Sequence, residues 1–345
     1  MTFDWYTELA ALLACPADGR APEGLALVFV DGCTTWLAVN QVRAAECEER
    51  LKGEHDKKSE ALEQEKQRHE RAKNDARRCY MERAVQGAPA LPPELNFDLW
   101  PPRLFQDAWL AIAVGFELLT PWYSKDDRLF HVLDNPVRKD RVFGVPHMSA
   151  ASWKGLLRWA CRMQAGLKDH LEQGKRFEVW TDPDWILHLF GNEKGEKKDF
   201  QQGALVFYPT WFDKIGFEVI NPHDRRRRAG TQPIYYEVVP GRQPKRGDSN
   251  QCEEGGKGAL RLLYAPWPGT KDAPALKEFL SKLLDAIKLL LTQYGISAKR
   301  TVGWGTAEIQ KWQAWTRGRA PDQPIEGNDR KQLLRQLLAN SGDAT

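Results

Sequence analysis

Residues 275–293 read ALKEFLSKLLDAIKLLLTQ, and their periodicity decides the architecture. Leu276, Phe279, Leu280, Leu283, Leu284, Ile287 and Leu291 recur at three- and four-residue steps, which gathers them on one apolar face of a helix. Such a face must cover a sheet or another helix, and the surrounding runs read as strands. Thr306–Lys311 follows it, and Ala259–Ala265, Gly203–Tyr208 and Trp109–Leu119 precede it. A second helical pattern, Ser152–Leu171, lies between the first two strands. Phe217–Asn221 and Ile234–Val239 flank an arginine-rich segment and read as a projecting hairpin. With that hairpin set aside, the order is β-α-β-β-α-β, an α+β fold of the ferredoxin-like arrangement. That arrangement serves many activities, so function has to be read from the site.

The N-terminal part differs in character. Leu25–Val30 and Thr34–Val39 are apolar or β-branched runs around Asp31-Gly32, a turn signal, and predict a hairpin. Gln41–Arg83 is dense in Glu, Lys, Arg and Gln and free of Pro, which predicts one long helix or an antiparallel helical pair. Its apolar positions, Leu51, Leu62, Ala72, Ala76, Tyr80 and Met81, keep no sustained heptad, so the reading is a solvated arm. Its role is either spacing or partner binding. Five prolines between Gln86 and Pro102 then mark a linker. The expected organisation is a hairpin and charged arm over 1–90, a linker over 91–108, the main domain over 109–315 and a tail with a short helix over 316–345.

Composition narrows the class without naming it. Of the 345 residues, 42% are apolar and 28% charged, the balance of a folded soluble protein. The net charge of +3, from 50 basic and 47 acidic residues, makes no case for nucleic acid in bulk; only local clustering can. No apolar run approaches the roughly 20 residues of a membrane span. Leu9–Cys15 lacks the positive flank of an export signal, because Asp4 and Glu8 stand there. Six scattered cysteines show no Cys-x-x-Cys pair and no histidine at zinc spacing, so reduced thiols in the cytoplasm are expected.

Four clusters carry chemistry. Leu133-Asp134-Asn135-Pro136-Val137-Arg138-Lys139-Asp140 leads through Gly144-Val145-Pro146 to Ser149-Ala150-Ala151-Ser152-Trp153-Lys154-Gly155-Leu156-Leu157-Arg158. Ser149 or Ser152 suits a helix cap, which leaves backbone N–H groups and a positive dipole end for phosphate. Lys154, Arg158 and Arg162 recur every four residues, giving a basic face opposite Leu157, Ala160 and Cys161; an ordinary amphipathic surface helix would show the same spacing. Leu189-Phe190-Gly191 precedes the strand at Gly203. Val219-Ile220-Asn221-Pro222-His223-Asp224 runs into Arg225, Arg226, Arg227 and Arg228, which suit a phosphate chain or unpaired bases, or form a solvated turn. Gly295-Ile296-Ser297-Ala298-Lys299-Arg300-Thr301-Val302-Gly303-Trp304-Gly305 is glycine-rich, with Lys299 and Arg300 adding phosphate-binding charge and no nucleotide-binding P-loop signature.

In this order, over roughly Trp109–Lys311, the clusters resemble RAMP superfamily subunits of type III CRISPR effector complexes, of the backbone or backbone-capping type. The resemblance implies an RNA-binding subunit that holds guide RNA and helps recognise target RNA for antiviral defence, with other effector subunits as partners. It implies RNA contacts at Arg138, Ser149, Ser152, Lys154, Arg158, Arg225 to Arg228, Lys299 and Arg300. In the backbone subunits an Asp in an Asp-x-Pro-Val context is associated with metal-dependent cleavage of target RNA, and Asp134 holds that position. The implied cofactor is magnesium. The Arg225–Arg228 cluster instead resembles the capping subunits, which are binding parts, so the two signals pull apart. The alternatives are an endoribonuclease that processes CRISPR precursor RNA, with His131, His147 or His223 as general base, and a non-catalytic assembly adaptor acting through the arm.

Overall fold

The computed structural model describes residues 30–53, 58–86, 100–127, 131–140, 143–192, 201–224, 229–230, 233–245, 248–267 and 276–341. The chain divides into two units, each taken by itself. The first comprises Met1–Ala88, Lys125–Val137 and Ile215–Glu237; the second comprises Pro89–Ser124, Arg138–Lys214 and Val238–Thr345.

Two long helices, α1 (Val30–Gly53) and α2 (Lys58–Val85), dominate the first unit. Lys66 pairs with Glu48 at 3.3 Å, His69 meets Asn40, and Ala76 and Tyr80 pack with Leu37, so the helices run antiparallel. Small buried residues, Ala44, Ala72 and Ala76, let the backbones approach, while Leu62 and Tyr80 fill the wider parts of the seam. The gap in the apolar pattern is where His69 and Asn40 sit, both buried and hydrogen-bonded to each other at 2.9 Å. One polar pair satisfied internally replaces the apolar contact a heptad would have supplied. Toward one end, Leu37, Ala76 and Tyr80 form a core with Val132, flanked by Leu133 and Phe217. The helices are thus anchored by their own core and are not solvated along their whole length. Strands Gly216–Ile220 and Ile234–Val238 pair with each other, and His223–Asp224 pairs antiparallel with Ala229–Gly230.

The N-terminal hairpin expectation is corrected here. Thr34–Val39, read as its second strand, lies within α1, and Asp31-Gly32 falls in the first turn of that helix. Leu25–Phe29, nearly all of the first strand, lies outside the described residues. The β-branched run was a local preference; burial of Leu37 and Val39 in the helical unit is a tertiary effect that overrides it.

The second unit is built from β1 (Leu110–Leu118), α3 (Ala150–Arg162), β2 (Leu205–Phe207), β3 (Lys257–Tyr264), α4 (Leu276–Leu289), β4 (Ala307–Thr316), β5 (Ile325–Gly327) and α5 (Arg330–Ser341). The five strands of its main sheet lie in the order β5-β4-β1-β3-β2, and every neighbouring pair is antiparallel. Central β1 is apolar at nearly every position because both of its faces are covered. Leu110, Ile112, Val114 and Phe116 are at most 2% exposed, and Phe116 meets Trp153 of α3 edge-on at 6.1 Å. Ala111 and Ala113 point the other way, as strand alternation requires, into a cluster with Leu263 and Trp315 beside Trp100 and Leu104. Helices α3 and α4 pack on each other and bury Trp153, Leu157 and Ala160 with Phe279, Leu283, Leu284 and Ile287. Strand β4 runs past Lys311 to Thr316, since buried Trp312 and Trp315 extend its pairing with β1. Arg330 of α5 bonds Asp285 of α4 at 2.5 Å.

Candidate nucleic-acid interface

The N-terminus of α3 is capped by Ser149, whose backbone is extended (φ −70°, ψ 153°) and whose Oγ accepts from the Ser152 N–H at 3.2 Å. The two hydroxyls also lie 2.9 Å apart. Burial of Trp153, Leu157, Ala160 and Cys161 fixes the inward face of α3. Ser152, Gly155 and Trp159, at i, i+3 and i+7, therefore share the outward side. Gly155 is exposed, and a Cβ built on it would meet nothing within 4 Å. Nothing within the described residues requires glycine there, although glycine in a helix interior costs about 1 kcal/mol relative to alanine. The result is a stripe of bare backbone between a hydroxyl and an aromatic ring.

The expected basic face of Lys154, Arg158 and Arg162 is only partly formed. Arg158 is 8% exposed and donates through Nε (3.0 Å) and Nη2 (2.6 Å) to Asp182. Arg162 donates to the same carboxylate at 2.6 and 2.7 Å, and the Trp180 indole N–H adds a bond at 2.9 Å. Two cations thus turn inward to one buried anion supplied from beyond the helix. Lys154 remains exposed. Partial burial, and then the charge of Arg158, shift its pKa below the ordinary lysine value.

The glycine-rich loop follows α4 through Tyr294. At its base the Ile296 N–H donates to Gly305 O at 2.9 Å. This closure needs glycine at 305: its φ is +88°, and a Cβ would lie 2.3 Å from the Ser297 nitrogen. Buried Ser297 accepts from the N–H groups of Tyr123 (3.1 Å) and Lys299 (3.2 Å), so the loop is docked on the segment after β1. Arg300 reaches from the loop to α3, with its guanidinium 4.8 Å from the Trp159 ring centroid. Tyr294 meets the same indole edge-on at 4.9 Å. The Nη1 of Arg300 is buried and has no hydrogen-bond acceptor among the described residues. Burial lowers the pKa of this guanidinium from its ordinary value.

The structure therefore joins Arg300 to the α3 stripe through Trp159, a residue that the sequence reading passed over. Its only signal there was its place four residues after Gly155. Asp182 was likewise missed, since it lies 20 and 24 residues from its two partners and no local spacing announces it.

Asp134 belongs to the first unit and is exposed. Its loop is held on both sides: Asn135 Nδ2 donates to Tyr235 O at 3.0 Å, and the Glu237 N–H donates to Asn135 O at 3.0 Å. The fully buried Glu237 carboxylate accepts from the Val137 N–H at 3.0 Å and from the Tyr80 hydroxyl of α2. Arg138 is half-buried; its backbone N–H donates to Ser124 O at 2.7 Å and its carbonyl accepts from His147 at 3.1 Å. Arg225, Arg226, Arg227 and Arg228 lie outside the described residues. Of the histidines weighed as a general base, His131 lies 3.7 Å from Asp126, and the His147 ring meets Trp211 tilted, with centroids 5.1 Å apart. The side chain of His223 is not among those described.

No curated protein matches the chain. Among solved structures, it is similar in fold to a chain from the cryo-EM structure of the type III-B Cmr-beta bound to cognate target RNA. The TM-score is 0.53 at 13% identity, over 83% of this chain and 92% of that one. Residues 115–308, more than half of the chain and running from within β1 through α3, α4 and the glycine-rich loop, match the RAMP superfamily model, and the protein belongs to the RAMP superfamily.

Proposed function

We propose that this protein is an RNA-binding subunit of a type III CRISPR effector ribonucleoprotein in the cytoplasm. It holds guide RNA beside neighbouring effector subunits and helps present it to target RNA. Superfamily membership and the likeness to a chain of an RNA-bound Cmr-beta structure support this reading. The observation that carries it is Arg300, which lies over the Trp159 ring with a buried donor that the described residues leave unmatched. A phosphate or base acceptor lying over the Ser152–Gly155–Trp159 stripe matches that donor. In this reading Lys154 and Lys299 supply flanking charge, Ser149 and Ser152 hydroxyl and backbone contacts, and Arg138 and Arg225 to Arg228 further phosphate contacts. Arg158 acts through Asp182 to hold the helix. The sheet is ferredoxin-like, a split β-α-β with β3 between β1 and β2, extended by β5. The paired strands 216–220 and 234–238 are the hairpin of this reading.

The experiment is a filter-binding titration of single-stranded RNA against salt. Lys154→Ala with Lys299→Ala is expected to lower the log–log slope by roughly 0.7 for each phosphate no longer neutralised, and an unchanged slope refutes the interface. Gly155→Ala provides an independent test with opposite signs. Helix propensity should raise stability by up to about 1 kcal/mol, while the added methyl on the stripe weakens RNA binding. Alanine that stabilises without affecting affinity would show that the bare backbone does not touch RNA.

Target-RNA cleavage at Asp134 is a second reading, favoured by an exposed carboxylate on a loop whose neighbours Asn135 and Val137 are both clamped. Among the described residues no cluster of three metal-ligating side chains includes Asp134. One carboxylate completed by water and RNA phosphate is nevertheless a common magnesium arrangement. Bound there, magnesium would neutralise charge on the phosphate. The residues' own part is to hold the Asp134 oxygens toward the RNA backbone. In the assembled complex with complementary target and magnesium, Asp134→Ala is expected to abolish cutting while leaving binding intact. Equal cutting by both proteins rules Asp134 out; binding without cutting by either leaves the chain a non-catalytic part.

A further inference from the structure

The helical pair contains a cluster that the RNA-binding reading does not use. Cys47 of α1 and Glu65 and His69 of α2 place one thiol sulfur, one carboxylate oxygen and one imidazole nitrogen within 4.8 Å of one another. Glu65 and His69 are one turn apart on the same face of α2, and antiparallel packing brings Cys47 opposite them. The sequence showed no histidine at zinc spacing from any cysteine, because this proximity is created between helices. Cys47 and His69 are each 3% exposed, and Glu65 is half-buried. Burying a thiol and an imidazole beside a carboxylate, in a seam that Ala44, Leu62 and Ala72 line, is unfavourable without a partner for their lone pairs.

A second observation bears on what that partner is. Asn40 donates through Nδ2 to Trp36 O at 2.8 Å, which turns its Oδ1 toward His69 Nδ1 at 2.9 Å. An amide oxygen only accepts, so Nδ1 carries the proton and Nε2 keeps its lone pair. Fixing the tautomer of a ligating histidine through its other nitrogen is the usual arrangement behind metal-bound imidazole. Burial, and then the charge of Arg43, lower the His69 pKa from its ordinary value. The Cys47 thiol is pushed up by burial and by Glu65, so a metal would have to displace its proton.

We propose that Cys47, Glu65 and His69 bind one zinc ion between α1 and α2, with water in the fourth position. Thiolate, imidazole and carboxylate together suit zinc, whereas all-oxygen sites suit magnesium or calcium. Zinc bonds of about 2.0–2.3 Å set tetrahedral ligand atoms roughly 3.3–3.8 Å apart, so side-chain rotations of about an ångström complete the site. The ion staples the two helices and steadies the base on which the Asp134 loop packs.

The test uses the full-length, tag-free protein. Metal analysis is expected to find stoichiometric zinc, and cobalt(II) in its place should give a thiolate-to-metal charge-transfer band. Cys47→Ser should abolish that band, while Cys252→Ser, at an exposed cysteine, should leave it intact. Asn40→Ala should weaken zinc by about 10–100-fold in chelator competition. Should Cys47→Ser fail to fold, Glu65→Gln, a near-isosteric change at a half-buried position, is read in its place and should weaken zinc measurably. No stoichiometric uptake, or an unchanged cobalt spectrum in the folded ligand variants, overturns the proposal whether or not the protein binds RNA.

Discussion

Asp182→Ala is expected to destabilise the protein by about 3–5 kcal/mol, the usual loss when one member of a buried ion cluster is removed. Asp182 is 7% exposed, and its carboxylate takes bonds from two guanidinium groups and an indole. Without it, Arg158 and Arg162 stay largely buried with their principal anion gone, and the segment around Trp180 loses its tie to α3. Asp182→Asn, which keeps the volume and one acceptor, should lose less. Burial alone raises the Asp182 pKa, but the bonds from Arg162, Arg158 and Trp180 outweigh it, and the folded value lies below the ordinary 3.8. A depressed carboxyl stabilises the fold above its unfolded pKa and loses that contribution as pH falls through the folded one. The stability gap between wild type and Asp182→Ala, measured by urea unfolding, should therefore be full near neutrality and shrink below about pH 4. A gap independent of pH would show that packing, and not charge, is what Asp182 supplies.

That cluster shows where the sequence stops being informative. Central β1 and helix α4 were readable because their patterns follow from local periodicity and from burial of whole faces. A cap at Ser149 or Ser152 was readable because it depends on residues a few positions apart. Arg158 and Arg162 looked like an exposed basic face since helix spacing says which residues share a side, and not what lies across from it. Asp182, Glu237 and the Cys47–Glu65–His69 group all act across tens of residues, and their partners are set by packing. The same limit explains the misread strand at 34–39. Val and Thr favour strands locally, and only pairing with α2 makes 34–39 helical. Trp159 is the opposite case: its position on the stripe with Gly155 was legible, but its meaning came with Arg300.

Arg300→Ala should lower RNA affinity by roughly 10–100-fold, because a charge-assisted hydrogen bond to phosphate or base contributes about 1.5–3 kcal/mol. Free-protein stability should move much less. The wild-type chain already carries the cost of a buried donor with no acceptor among the described residues, which offsets what the contact with Trp159 provides. The separation between binding and folding is the informative quantity. An arginine kept for structure would destabilise the free protein when removed, whereas one poised for RNA reveals itself only in the complex. Arg300→Lys keeps the charge but loses the flat fork and the planar stack, so its salt slope should stay near wild type while its affinity falls. Trp159→Leu should fall in the same direction, by releasing the guanidinium from the orientation it now holds over α3. Affinity and salt slope unchanged in Arg300→Ala, at equal helical content by circular dichroism, would remove this residue from the interface and leave Lys154, Lys299 and the other proposed arginines to carry it.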